Sequence, residues 1–548
     1  MNTTLHRPRS ESLIALGLAT GPVVALGFTR FAYALLLPTM KSDLNWSFAA
    51  AGGMNSANAA GYVVGAATAA YWARRYGGSR MFIISLATSA ALLLLTGVDG
   101  HYGVLATVRF LGGFSTAVTF VLGSALAARI HAGTHHHRST YMVAIYMGGV
   151  GAGVVLSGLI IPGVTHTLDA TAGWRTGWIL LGVLALALLG PATWAARQVP
   201  PPPTGASTDQ EPIGLSRLAP TFAWYLLYGA GYVSYMTFVV ALLHTRGVGD
   251  IGEAAFFVAL GTSSVIATLG LWGRVLSRLH GGHAPALISA IVLLGVLPVL
   301  VSQNLAAALV SGAVFGAGFM AGPTAATVLA RRMLPAHGWT TGIALLTVAF
   351  SVGQGIGPLV AGILSDSAGG IARGLWLSVA LLTFAAAVAL VQREPAHEHA
   401  AASAPFTERT AGPVRIRRIL LAVDGTTRES AAEALALTLA RTLDAAVDVL
   451  HVDTEAATED EKPRRIALTA AVDRLSDAGV TATSHVVRAP EMDVAEAIAD
   501  TATELGADLV IAAPHHRDRL GRWLEPSITE QLTEQLTDRS SAAVLLVA

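Results

Sequence analysis

The sequence predicts an all-α polytopic membrane domain of twelve transmembrane helices, built as a 6+6 pseudo-symmetric repeat, followed by an α/β domain with a doubly wound parallel sheet. Three observations carry that prediction. Of 548 residues, 53% are hydrophobic and 13% charged, against about 25% charged in a soluble globular chain. Charge is divided between two parts: residues 1–395 hold 20 Lys/Arg and 10 Asp/Glu, residues 396–548 hold 15 and 25, giving +10 and −10. Apolar runs of about 20 residues, the length a helix needs to cross a bilayer, recur throughout the first part and stop before the second. Such a composition excludes a purely soluble protein, a disordered chain and a nucleic-acid binder. With no cysteine in the chain, disulfides, thiolate zinc sites and iron–sulfur clusters are excluded as well.

The twelve runs fall at roughly 13–37, 48–73, 81–98, 103–129, 141–162, 175–195, 219–243, 253–277, 284–303, 305–331, 339–364 and 372–391. In lipid each must be a helix, because the backbone has to satisfy its own hydrogen bonds there. The first run is too long for the apolar core of a signal peptide and is not followed by an Ala-x-Ala-like site, so it is expected to be retained. With the N-terminus in the cytoplasm, the inner segments hold fourteen arginines: Arg7, Arg9, Arg74, Arg75, Arg80, Arg129, Arg138, Arg197, Arg217, Arg274, Arg278, Arg331, Arg332 and Arg393. The outer loops hold four basic residues, Lys41, Arg175, Arg246 and Arg373. The bias predicts a multi-pass protein of the cell (inner) membrane with both termini cytoplasmic.

The halves, 13–195 and 219–391, repeat each other across a polar linker at 196–218 that contains Pro200–Pro203. A displacement of 204 lays Gly27-Phe28-Thr29-Arg30-Phe31 on Gly231-Tyr232-Val233-Ser234-Tyr235, and Gly149, Gly151, Gly153 and Gly158 on Gly353, Gly355, Gly357 and Gly362. A displacement of 203 lays Arg75 on Arg278 and Arg129 on Arg332. Parallel repeats of this kind build many secondary transporters.

On these residues the first 395 resemble a major facilitator superfamily transporter. Gly27-Phe28-Thr29-Arg30-Phe31-Ala32-Tyr33, with Trp46, Asn55 and Asn58, resembles the YbfB-like subgroup. Arg109 with Gly113 fits the family's Arg-x-x-x-Gly pattern, and Gly353-Gln354-Gly355-Ile356-Gly357-Pro358 its glycine–proline motif. The loop Ala73-Arg74-Arg75-Tyr76-Gly77-Gly78 departs from it, since Arg74 stands where the family carries the aspartate that latches one conformation, and the matching Ser277 is not acidic either. The resemblance implies alternating access, with Arg74, Arg75, Gly77, Arg278, Gly353, Gly357 and Pro358 in conformational roles. It also implies a central path lined by the first, fourth, seventh and tenth helices.

Only Arg30 and Arg109 place a charge well inside a run, and no Asp or Glu does. Intramembrane charges are costly, and a guanidinium grips carboxylate or phosphate with two parallel hydrogen bonds. The pair predicts a small, anionic substrate; the bland alternative is that each arginine bonds backbone carbonyls. Tyr33, Asn58, Tyr232, Tyr235 and Gln354 complete the substrate-binding candidates. Asn55, Asn58 and Gln354 are read first as interhelical hydrogen-bonding groups, and the Tyr225, Tyr228, Tyr232, Tyr235 stripe serves equally as packing. His131 and His135–His137 lie in a loop and read as solvated, so no metal and no cofactor is expected.

After a linker at 396–415 the pattern changes to short apolar strands near 419–423, 447–452, 481–487, 509–513 and 544–547, alternating with helices at 427–443, 460–478, 492–505 and 526–537. Strands alternating with helices imply a parallel sheet. Arg418-Ile419-Leu420-Leu421-Ala422-Val423-Asp424-Gly425-Thr426 and Ala507-Asp508-Leu509-Val510-Ile511 make residues 416–548 resemble a universal stress protein domain. Its nucleotide-binding members surround phosphate with Gly-x-x-Gly and Gly-Ser/Thr, where this chain has Ala513, His516, Pro526 and Ser527. Asp424 and Ser527 keep the pattern and the glycines do not, so ATP binding in the family manner is not expected. A regulatory module, able to form a homodimer, is. The expected function is a secondary transporter of a small organic solute; the alternative is a membrane sensor that signals through the tail. No catalytic constellation supports an enzyme.

Overall fold

The computed structural model describes residues 8–130, 136–199, 215–334, 339–393, 416–423, 431–453, 461–488, 494–512 and 543–546. The chain divides into two units, Met1–Glu398 and His399–Ala548. The histidines 131 and 135 and the nucleotide-motif positions Asp424, Ala513, His516, Pro526 and Ser527 lie outside the described residues.

The first unit is a bundle of helices. α1 runs through three segments, Pro8–Pro22, Val23–Phe31 and Ala32–Asp43; then follow α2 (Phe48–Tyr76), α3 (Gly78–Thr96), α4 (Tyr102–Ala128), α5 (His136–Thr167) and α6 (Ala170–Gln198). The second half repeats the order: α7 (Ala219–Thr245), α8 (Gly249–Gly270, prolonged by Trp272–Arg278), α9 (His283–Val301), α10 (Leu305–Phe319 and Ala321–Met333), α11 (Trp339–Ser365) and α12 (Gly370–Leu390). Among the described residues eleven helices are long and apolar enough to cross a membrane, one fewer than expected. The missing one is α2, a helix of 29 residues. Length suffices there, but Asn55, Ser56, Asn58 and a wealth of alanine and glycine dilute its apolar character.

The ends of the bundle are set by local signals. Ser47, Asp169 and Asn304 each cap a helix, accepting from the backbone N–H of Ala50, Ala172 and Ala307. These caps share one end of the bundle, here the far end, opposite the terminal end where the domain begins and finishes.

Close glycine contacts carry the repeat into three dimensions. A Cβ on Gly153 of α5 would lie 2.6 Å from the Val23 carbonyl oxygen of α1, and a Cβ on Gly357 of α11 would lie 2.4 Å from that of Ala230 on α7. The two helix pairs are equivalent under the repeat. Their partners are not: Val23–Phe31 of α1 is a π-helix, with Ala32 N–H bonded to Gly27 O five residues back, whereas α7 is continuous. A π-turn is rare and frequently marks a functional site.

The halves meet where α2 packs on α11, α5 on α8, and Ala32–Asp43 of α1 on α7. Polar bonds that cross between halves cluster toward the far end. Asp366, just past α11, accepts the N–H groups of Phe48 and Ala49 at 2.7 and 2.9 Å, and Ser56 Oγ donates to Gly355 O at 2.5 Å. His166 meets Asp250 at 2.9 Å.

The second unit holds β1 (Arg418–Ala422), α13 (Ala431–Leu443), β2 (Ala446–Asp453), α14 (Glu461–Asp477), β3 (Ala482–Arg488), α15 (Val494–Leu505), β4 (Leu509–Ala512) and β5 (Ala543–Leu546). All strands are parallel, in the order β3-β2-β1-β4-β5. One face buries Ile419, Leu421, Val447, Val449 and Ile511 against α13 and α14; the other buries Leu420, Leu450 and Val510 against α15. This is the doubly wound α/β arrangement, with its switch point between β1 and β4. Asp448 braces three strands, meeting Arg418 Nε at 3.3 Å and His485 Nε2 at 2.9 Å.

Candidate functional site

Both intramembrane arginines are buried, and each is hydrogen-bonded. Arg30, in the π-helical segment, donates from Nη2 to Gln354 Oε1 at 2.5 Å, and Gln354 Nε2 donates to the Tyr232 hydroxyl at 2.6 Å. Arg109, on α4, donates from Nη1 to Thr29 O at 2.6 Å and from Nη2 to Asn55 Oδ1 at 3.1 Å; Asn55 Nδ2 donates to Thr237 Oγ1 at 2.6 Å. Each chain runs from an arginine of the first half, through an amide, to a hydroxyl on α7 of the second. The two chains are neighbours, because Arg109 bonds the carbonyl of the residue that precedes Arg30.

Their chemistry differs. The Arg109 guanidinium carbon lies 4.4 Å from the Tyr33 ring centroid and 5.7 Å from that of Trp178. Its Nε is buried without a partner, and Asn58 Nδ2 donates to its backbone carbonyl at 3.1 Å. It is enclosed on every side. Arg30 makes one hydrogen bond and lies 5.6 Å from the Tyr62 ring centroid; its other N–H groups are not among the buried atoms that lack a partner. They keep access to solvent. Among the described residues no Asp or Glu lies within ion-pair distance of either arginine. A buried cation with free donors and no carboxylate can accept an anion in two-pronged geometry.

The remaining candidates divide. Tyr232 and Gln354 join the Arg30 chain. Tyr33 donates to Ala51 O at 2.9 Å and stacks under Arg109, so it belongs to the enclosed group with Asn58. Tyr235 joins neither: its hydroxyl shares a 2.5 Å bond with Ser311 of α10, and its ring packs on Phe315. At the terminal end Arg74 and Arg75 are exposed, the Arg75 guanidinium carbon lies 5.3 Å from the Tyr76 ring centroid, and Gly77 has φ 89°. Arg278 is also exposed. Gly353 and Gly357 let α11 approach α7, while the Pro358 carbonyl faces Gly52 of α2.

Sequence reasoning missed three participants. Thr237 and Tyr62 carry no charge and sit in apolar runs that hide them. Glu253 stands at the edge of an apolar run, yet it is buried and meets His244 Nδ1 at 3.1 Å; the nearby histidine is the signal that could have found it.

Comparison with known proteins fits this geometry. Residues 22–390 match the family described as "Uncharacterised MFS-type transporter YbfB", and residues 415–537 match the universal stress protein family. A relative from Streptomyces lividans described as "Chloramphenicol resistance protein" is 27% identical over 381 residues, covering 67% of this chain and 93% of its own. Three solved structures share the fold. A bacterial homologue of the human lysosomal transporter Spinster, inward-facing and occupied, has a TM-score of 0.54 at 16% identity, over 70% of this chain and 96% of its own. The nucleoside transporter NupG has a TM-score of 0.52 at 14% identity, over 69% and 98%. A D-xylose–proton symporter has a TM-score of 0.55 at 16% identity, over 69% and 96%. The chain belongs to the YbfB family of MFS-type transporters, as a multi-pass membrane protein that carries a universal stress protein domain after its transport domain.

Proposed function

We propose that the protein is a secondary active transporter that moves a small organic anion across the cytoplasmic membrane by alternating access, with Arg30 as the residue that holds the charge. The observation that carries this is a buried guanidinium, bonded to one neutral amide from the opposite half, with N–H groups to spare and no carboxylate within ion-pair distance among the described residues. Arg109 has the structural part, since its terminal nitrogens bond Thr29 O and Asn55 Oδ1 and its guanidinium is enclosed by the Tyr33 and Trp178 rings. The asymmetry of the repeat supports the division: Ser234, the counterpart of Arg30, bonds its own helix at Ala230 O. A relative described by resistance to chloramphenicol supports a small organic solute.

The bias of fourteen basic residues against four supports a cytoplasmic terminal end. With the halves bonded toward the far end, the conformation is then inward-facing. The stress protein domain, residues 416–548, is read as a cytoplasmic regulatory module that can pair with a second copy; tethering keeps it at high effective concentration beside the transporter.

The test is transport in reconstituted vesicles of solutes first found by thermal-shift screening of the purified protein. Arg30→Gln should abolish transport and leave Tm nearly unchanged; Arg30→Lys keeps the charge, loses the fork and should retain weak transport. Arg109→Gln should lower Tm, because hydrogen bonds to a charged group contribute about 1.5–3 kcal/mol each. Wild-type transport of an anion by Arg30→Gln, or its misfolding, would overturn the assignment. Binding of a solute with no movement of it would favour the sensor.

A further inference from the structure

The turn between α2 and α3 gathers positive charge that its surroundings leave unanswered. Gly77, with φ 89°, takes the chain from Tyr76 at the end of α2 to Gly78 at the start of α3. Arg74 and Arg75 therefore stand on one side of a single-residue turn and Arg80 on the other, and all three are exposed. The fold adds a fourth guanidinium from the end of α4, since a Cβ on Gly78 would lie 3.4 Å from Arg129 Nη2. Among the described residues no carboxylate lies within ion-pair distance of any of the four. Like charges gathered in this way repel, and a counter-anion offsets that cost.

The second half shows the same arginine spent internally. Arg332 is the counterpart of Arg129 under the repeat, and it donates from Nη1 to Leu279 O at 2.8 Å and from Nη2 to Leu276 O at 2.9 Å. Arg129 instead donates from Nε to Ala125 O of its own helix, at 3.2 Å. Its Nη2 stands beside the turn. One turn back along α2 is an aromatic collar: the Tyr71 and Trp72 rings lie 5.2 Å apart, and Trp72 and Tyr76 stack at 6.0 Å. Tyr71 and Tyr76 are 55% and 47% exposed. Tyrosine and tryptophan collect where a spanning helix crosses the headgroup layer, so the arginines just beyond them lie at the depth of lipid phosphates.

We propose that the α2–α3 turn and the end of α4 form a site for the headgroup phosphate of an anionic phospholipid, held by Arg74, Arg75, Arg80 and Arg129. Guanidinium groups bind phosphate through paired, charge-assisted hydrogen bonds. A free phosphate matches the charge alone, whereas a phospholipid matches the charge and the aromatic collar together. The lipid then joins α2, α3 and α4 at the terminal end. The inference needs only a membrane-spanning chain and is independent of the reading of Arg30.

The test is native mass spectrometry of the purified full-length protein with phosphatidylglycerol, phosphatidylcholine and inorganic phosphate. Phosphatidylglycerol should bind more tightly than phosphatidylcholine, whose phosphate is neutralised by its own choline, by about fivefold for each arginine engaged. Arg75→Gln/Arg129→Gln should weaken phosphatidylglycerol about twentyfold to thirtyfold and spare phosphatidylcholine. Arg197→Gln, which removes an exposed charge from the end of α6, should change neither. Equal binding of the two lipids overturns the site. An equal loss in Arg197→Gln overturns it too, because the preference then belongs to the whole basic surface. Displacement of phosphatidylglycerol by an equal concentration of inorganic phosphate overturns the lipid as the source of the anion. Where the double variant does not fold, Arg80→Gln alone should weaken phosphatidylglycerol about fivefold, and unchanged binding there overturns the site.

Discussion

Asp366 offers a measurable hold on the conformational equilibrium. Its carboxylate accepts the N–H groups of Phe48 and Ala49, which open α2 and have no partners within their own helix. The helix belongs to one half and the carboxylate to the other, so opening the far end must break both bonds. A side-chain cap contributes about 0.5–2 kcal/mol and an anion at a helix N-terminus about 0.3–1 kcal/mol. All three groups lie near solvent, which argues for the lower part of those ranges, about 1–2 kcal/mol together. That corresponds to about a fivefold to thirtyfold change in the ratio of closed to open far ends. The chain contains no cysteine, so a single Ala59→Cys, buried on α2 beside Gly355 of α11, reports opening through its rate of reaction with an impermeant maleimide. Adding Asp366→Ala should raise that rate about fivefold to thirtyfold, and Asp366→Asn, which keeps one acceptor oxygen, by less. An unchanged rate in Asp366→Ala refutes the latch.

Two further outcomes follow from other parts of the chain. Gly357→Ala would bring a methyl group to 2.4 Å from Ala230 O and 2.7 Å from its Cα, both backbone atoms; overpacking of this kind costs about 1–3 kcal/mol, so Tm and transport should both fall. Gly355→Ala is the control, since its Cβ would meet the nearest atom at 3.5 Å, and an equal loss there would refute the packing argument. The full-length protein should show no micromolar affinity for ATP by calorimetry, because Pro526 has no amide proton to offer a phosphate and Ala513 and His516 replace glycines; micromolar binding would refute that reading.

How much of this was legible in the sequence depends on how local the cause is. Spans, caps and strands are written in runs of neighbouring residues, and the repeat was readable because Gly149 and Gly153 serve α1 as Gly353 and Gly357 serve α7. The candidate site was half legible. Charge in an apolar run exposes Arg30 and Arg109 at once, but what each touches depends on residues 80 and 324 positions away, Thr29 for Arg109 and Gln354 for Arg30. The π-helix was hidden for a related reason. Its five-residue hydrogen-bond step depends on tertiary packing as well as on the neighbouring Pro22. Asp366 and Glu253 escaped because both sit at helix ends, where a carboxylate ordinarily means only a solvated loop.

The symmetric glycines and the asymmetric arginines point to a separation of tasks. If the scaffold alone needed mid-membrane polarity, each half would carry it, as each carries its glycine contacts. Instead, among the described residues, the buried arginines near the centre both belong to the first half, and the second supplies neutral acceptors: Gln354, Tyr232 and Thr237. Each polar chain therefore depends on both halves being in place, and only the Arg30 chain keeps donors that a solute can reach. A carboxylate that displaced Gln354 from Arg30 would cut one of the two chains while leaving the Arg109–Asn55–Thr237 chain intact. Binding and release would then be registered at the contact between the halves, while the enclosed arginine keeps α1, α2 and α4 together. On this reading Gln354 couples solute to motion. Gln354→Glu should pair with Arg30 and fix the halves together, blocking transport and raising Tm, whereas Gln354→Leu should leave Arg30 free and bind anion more tightly while uncoupling it from movement. If both variants transported at the wild-type rate in vesicles, the bridge would have no part in coupling.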